Sequence, residues 1–202
     1  KEEKPSLEEG INGAWLLFIV STQSVPVLGM LLVSRFEAWQ EMFTFAMLGF
    51  YLLGCMFYIL IISLIVYRFM FFKIEAEDMN PSYWINTGAV AITTLAGANI
   101  LLRGHASFLA EFAPFIKGFT VFFWAAGTWW IPYLFILGAW RHFYKHYPLT
   151  YHPVYWGLVF PMGMYTVATF RLAEVLNMDF LLLIPQYFIY LALVAWVVTF
   201  YG

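Results

Sequence analysis

The chain has 202 residues, of which 63% are hydrophobic, 22% aromatic and only 11% charged. A soluble domain carries about 25% charged residues, so this composition excludes a soluble globular protein and describes one that lives in a bilayer. A formal net charge of −2 is too small to hold nucleic acid or another polyion.

The first ten residues, KEEKPSLEEG, are charged and lack the layout of a signal peptide. They read as a cytoplasmic loop segment inside a longer protein, and the apolar run that continues to Gly202 adds to the expectation of a fragment. Residues 11–202 read as one all-α transmembrane domain. Six apolar segments, each near or above the ~20 residues that cross a bilayer, are expected as helices over 11–34, 41–72, 83–103, 115–143, 153–175 and 180–201. They are too long, and alternate too little, for barrel strands. The connections RFEAWQ, KIEAEDMNP, RGHASFLAEFAP, KHYPLTYHP and LNMD are short, so consecutive helices are antiparallel neighbours. Asp78 or Asn80 is placed to cap the third helix and Asp179 the sixth, and Pro81 and Pro153 suit helix starts.

Lysine and arginine favour the cytoplasm. With the N-terminus inside, Lys1, Lys4, Arg68, Lys73, Arg141 and Lys145 are cytoplasmic, while Arg35, Arg103, Lys117 and Arg171 fall at the outer ends. An even number of helices then leaves both ends of the chain cytoplasmic. Trp39, Trp84, Trp140 and Trp156 lie near helix ends, as interfacial anchors do.

The segments alternate in character. The first, third and fifth hold the small, polar and helix-bending residues: Gln23, Pro26 and Gly29, then Asn86, Thr87, Gly88, Thr93, Thr94, Gly97 and Asn99, then Gly157, Pro161, Gly163, Thr166 and Thr169. The second, fourth and sixth are bulkier and more apolar. A polar, kinked helix belongs inside a bundle and a bulky apolar one against lipid. The pattern is three hairpins of one inner and one outer helix, repeating roughly every 70 residues, as in channels and transporters. Tight helix packing through small residues gives the same pattern.

The fifth segment carries Phe160-Pro161 between Gly157 and Gly163. Proline removes a backbone donor and clashes with the carbonyl four residues back, and lipid cannot satisfy the freed carbonyl. Such a break survives against protein or a water-filled cavity. On composition alone Phe160, one of 22 phenylalanines, reads as a core side chain. Gln23, Asn86, Thr87, Thr93, Thr94, Asn99, Thr166 and Thr169 are pore-lining candidates, as is Pro26. They offer polar groups without fixed charge, so an anion would pass without being trapped. For each, a hydrogen bond to another helix or to its own backbone is the competing role.

Arg103 and Arg171 are candidates for recruiting anions at the outer mouth; Arg171 and Glu174 are spaced to pair, and snorkelling to the interface is the alternative. His142 and His146 have i, i+4 spacing but sit at the basic end of a helix, so no metal or haem is expected. Cys55, in an apolar run, has no partner for an intrachain disulfide. Without a phosphate loop, triad or zinc motif, no enzymatic chemistry and no cofactor is expected.

DMNPSYWINTGAVAITTLAGANIL (78–101), VSTQSVPVLG (20–29) and YWGLVFPMGMYTVATFRLAE (155–174) resemble the tellurite-resistance/dicarboxylate transporter family, which includes bacterial TehA-like proteins, fungal malate permeases and the slow-type anion channels of plants. The resemblance implies a ten-helix fold in which odd-numbered helices line a central pore, with this chain as the last six helices. It implies a homotrimer, small anions or C4-dicarboxylates such as malate as substrates, and a bacterial inner membrane. It also implies a pore gate at the phenylalanine before the proline, here Phe160. A proton-coupled dicarboxylate, sulfite or tellurite-related exporter stays open beside a channel; a redox membrane protein and a non-transporting scaffold are more distant readings.

Overall fold

A computed structural model describes residues 6–201 of the chain, so Lys1 and Lys4 lie outside the described residues. A short turn, α1 (Leu7–Gly10), precedes six long helices: α2 (Leu17–Leu32), α3 (Gln40–Phe71), α4 (Ile85–Arg103), α5 (Leu109–Ala139), α6 (Trp156–Leu176) and α7 (Leu183–Tyr201). Most are extended by one turn of 3₁₀ helix, as at Gly13–Leu16, Pro81–Trp84, Pro153–Tyr155 and Asp179–Leu182. No strand occurs among the described residues. Among the described residues five spans are long and apolar enough to cross a membrane: Gly13–Arg35, Glu37–Phe71, Pro81–Arg103, Leu109–Tyr144 and Asp179–Tyr201. The protein is an all-α integral membrane protein. α6 has 21 residues but is less apolar, since Pro161, two threonines, Arg171 and Glu174 fall within it.

α4 is the centre of the bundle. Of its most apolar stretch 89% is buried, against 22% for the span holding α5 and 17% for that holding α7. The cause is composition: Ala89, Ala91, Ala96, Gly97 and Ala98 keep its surface thin, so α2, α3, α5 and α6 all reach its backbone. A side chain at Gly97 would stand 3.0 Å from the Tyr51 hydroxyl of α3, and one at Gly127 of α5 would stand 2.7 Å from Val90 Cγ2. The outer helices expose large apolar groups such as Phe45, Met70, Trp129 and Tyr190, surfaces suited to lipid.

The helix ends follow the turn chemistry. Asn80 Oδ1 accepts from the Ser82 N–H at 2.9 Å and caps the Pro81–Trp84 turn. Asp78 instead accepts from the Glu75 N–H and pairs with Arg68 at 2.9 Å. No side-chain cap bond precedes the Asp179–Leu182 turn. α6 ends where Asn177 adopts a left-handed conformation (φ 52°) and the Met178 N–H reaches the Ala173 carbonyl, the geometry that closes a helix on its last free acceptors.

Asp179, expected as the cap of the last helix, is instead the first residue of its leading turn, and two further expectations need correction. α5 begins at Leu109 rather than 115, which draws Leu109–Pro114 into the helix; Pro114 lies in its second turn, where few backbone bonds are lost. Trp84, expected as an interfacial anchor, is 8% exposed and packs edge-on against Phe135 at 5.0 Å. The crowding around α4 buries it.

Candidate pore site

α6 runs unbroken through Pro161, which occupies its second turn. Pro161 cannot donate to the carbonyl of Gly157, and its ring presses on that same carbonyl. A side chain at Gly157 would meet only ordinary contacts, with Ile85 at 3.6 Å and the Pro81 carbonyl at 3.7 Å. Gly163 has open space on its side-chain face. The close approach is made instead from α4: a Cβ at Gly88 would lie 3.0 Å from Pro161 Cγ and 3.3 Å from Phe160 Cε1. Gly88 thus seats the Phe160-Pro161 pair.

Phe160 is 44% exposed while Pro161 is buried. Along α6 its neighbours at helical spacing are Gly163, Met164, Val167 and, eleven residues on, Arg171; Val167 is exposed with it. This stripe has no hydroxyl. Thr169 is nine residues from Phe160, half a turn around the helix. It accepts from Trp124 Nε1 of α5 at 3.0 Å and donates to the Tyr165 carbonyl at 2.8 Å. Thr166 is buried and donates to the Met162 carbonyl at 2.9 Å.

On α4 the polar candidates divide between faces. Asn86, Thr93 and Gly97 fall on the side that meets α3 and α5, whereas Asn99 shares the face of Gly88 eleven residues earlier. Thr93 and Thr94 donate to the carbonyls of Ala89 and Val90 at 2.7 and 2.8 Å. A hydroxyl has one proton. Thr93, Thr94, Thr166 and Thr169 therefore have none left for an anion. Among the described residues the buried Thr87 hydroxyl has no hydrogen-bond partner, and the buried Asn86 amide lies beside the Tyr58 hydroxyl.

On α2, Gln23 is turned toward α3 rather than toward the other candidates. It packs on Gly54 and donates from Nε2 to the Tyr51 carbonyl at 3.0 Å, and among the described residues Oε1 has no partner. Pro26 is buried in the same helix. The face of α2 left open holds Ser21, Ser24, Val25 and Leu28, whose two serines bond back to the carbonyls of Phe18 and Ser21.

At the far end of α4, Arg103 lines a cavity of about 530 Å³ with His105, Gln40, Ser34 and Glu37. Arg171 is engaged: Nη1 donates to Glu174 Oε2 at 2.7 Å, which neutralises much of its field. Two features escaped the sequence reading. Gly88 stands out only once its partner across the helix pair is known. Arg68, at the end of α3, is 6% exposed and donates to the Tyr83 hydroxyl at 2.6 Å and to the Glu8 carbonyl at 2.8 Å besides pairing with Asp78.

The whole chain, residues 1–202, matches the family model described as voltage-dependent anion channel. An uncharacterized membrane protein of Mycobacterium tuberculosis is 36% identical over 143 residues, covering 71% of this chain and 73% of that protein. An uncharacterized transporter of Methanocaldococcus jannaschii is 24% identical over 200 residues, 98% of this chain and 57% of the transporter. A second transporter of the same organism is 25% identical over 170 residues, 84% of this chain and 47% of its own length. The chain thus spans about half the length of these two transporters. No solved structure matches it.

Proposed function

The chain belongs to the voltage-dependent anion channel family, the tellurite-resistance/dicarboxylate transporter group its motifs resemble, and on that premise we propose that it carries small anions through a membrane pore gated by Phe160. α2, α4 and α6 form three walls of the pore, α3, α5 and α7 face lipid, and the working assembly is a homotrimer. C4-dicarboxylates such as malate are the substrate class, and the end of the bundle that carries Arg68 and Arg141 faces the cytoplasm of a bacterial inner membrane.

The observation that supports this reading most is the setting of Phe160. Its ring is half exposed and backed by Gly88, beside the buried Pro161. A core phenylalanine would be enclosed on all sides, as Phe123 is at 0% exposure. A benzyl group on the open side of a pore wall excludes both ions and water. With most threonine hydroxyls committed to their own backbones, and Arg171 on the same face paired with Glu174, an anion passing this wall finds few free donors, so it is not held.

The experiment is anion efflux from liposomes carrying the purified protein, comparing malate, chloride and nitrate in the parent and in Phe160→Ala. Faster efflux of one or more anions in the variant supports the gate. Efflux that requires a pH gradient would favour the proton-coupled exporter, and no efflux of any of these anions from either protein would count against the reading.

A further inference from the structure

Two cavities adjoin where α5 ends, in the angle between the 74–84 and 145–155 connections. The larger, about 420 Å³, is an apolar trough lined by Trp84, Leu134, Phe135, Gly138 and Leu158. The smaller, about 270 Å³, is a more polar cup lined by Thr150, His152, Tyr147 and Glu77. Asn80, Pro81, Arg141 and Tyr155 line both.

Arg141 is the unusual group. It is 7% exposed, yet among the described residues no carboxylate lies within ion-pair reach, whereas buried Arg68 has Asp78 and Arg171 has Glu174. Its Nη1 donates to the Met79 carbonyl at 2.6 Å, its guanidinium carbon stands 4.2 Å from the Tyr147 ring centroid, and among the described residues its Nε has no acceptor. A carbonyl and an aromatic face orient a guanidinium but carry no net charge. A buried cation in this state favours an anion. Glu77, on the rim of the cup, is exposed, so water and salt screen it more than they screen the buried arginine.

We propose that these cavities bind an anionic phospholipid, its phosphate in the cup at Arg141 and an acyl chain in the trough. A soluble anion would fill the cup and leave the trough open. The trough lies between the last turns of membrane-spanning α5 and the Pro81–Trp84 turn that leads into α4, where the bilayer supplies amphipaths with both parts. Basic pockets between transmembrane helices hold lipid headgroups through the same chemistry.

The test is thermal unfolding of the detergent-purified protein with phosphatidylglycerol, phosphatidylcholine or inorganic phosphate added. Phosphatidylglycerol is expected to raise Tm by several degrees and phosphatidylcholine by much less, with Arg141→Gln removing the difference. Because Arg141 is buried and its variant can misfold, Gly138→Trp is the second probe: Gly138 opens into free space, so tryptophan fills the trough without displacing the core. That variant should keep the basal Tm and lose the phosphatidylglycerol effect. Equal shifts from the two lipids, or a lipid effect that survives in Gly138→Trp, would overturn the proposal. A shift from phosphate alone as large as that from phosphatidylglycerol would also overturn it and assign the cup to a soluble anion.

Discussion

Gly88 of α4 lies beneath the ring of Phe160 of α6, so close that a methyl group there would stand 3.3 Å from Phe160 Cε1 and 3.0 Å from Pro161 Cγ. Gly88→Ala is therefore expected to push the phenylalanine outward, since Pro161 is buried and Phe160 is half free. Overpacking of this kind costs about 1–3 kcal/mol. In the pore reading anion efflux falls in Gly88→Ala, while the Gly88→Ala/Phe160→Ala double variant leaks as fast as Phe160→Ala alone. Additive effects in that double-mutant cycle would show that the two residues act separately.

Thr169 separates packing from permeation. Thr169→Val removes the acceptor of the half-buried Trp124 indole N–H, and losing a hydrogen bond of this kind costs about 0.5–1.5 kcal/mol. Because Thr169 lies on the opposite side of α6 from Phe160, the variant should melt earlier and yet keep the parent's relative efflux of malate, chloride and nitrate. A changed anion order at unchanged stability would place Thr169 in the permeation path.

The clamp at the Arg68 end has a pH signature. Burial alone would raise the Asp78 carboxyl, but the Glu75 N–H and the Arg68 guanidinium outweigh it and hold the group below the usual carboxylate range. A depressed folded value means stability that is complete above the unfolded carboxylate pKa of about 3.9 and is lost as pH falls through the folded value. Tm should drop on acidification below about pH 4, and the drop should be smaller in Asp78→Asn, which has no proton to gain. A variant whose acid slope equals the parent's would show that Asp78 does not contribute this linkage. Tyr83→Phe, which removes the 2.6 Å bond from Arg68, should lower stability by about 1–3 kcal/mol at all these pH values.

Much of the architecture was legible in the sequence, and for physical reasons. Apolar length marks a spanning helix regardless of its neighbours, and the small residues of α4 announce a helix that others approach closely. Which way a polar side chain turns was not legible. α4 is small or polar on every side, so spacing could place Asn99 and Gly88 on one face and Asn86 on another without saying which face met which helix. The threonines were ambiguous for another reason: a hydroxyl that bonds back to its own helix looks the same in sequence as one that faces a lumen. Gln23 turned toward Tyr51 because Gly54 of α3 leaves room there. Arg141 read as one more basic residue, and its want of a carboxylate is a property of the packing around it.

The central claim is that Phe160 closes the pore, and the most direct measurement is anion flux per folded protein in liposomes for Phe160→Ala against the parent at equal membrane levels. A core phenylalanine lost to alanine costs about 3–5 kcal/mol, so a packing role would give poor yield and no gain in flux. The gate reading expects a protein that still folds and assembles, because the ring is 44% exposed, and that passes anions several-fold faster than the parent. Flux per folded protein equal to or below the parent's would contradict it.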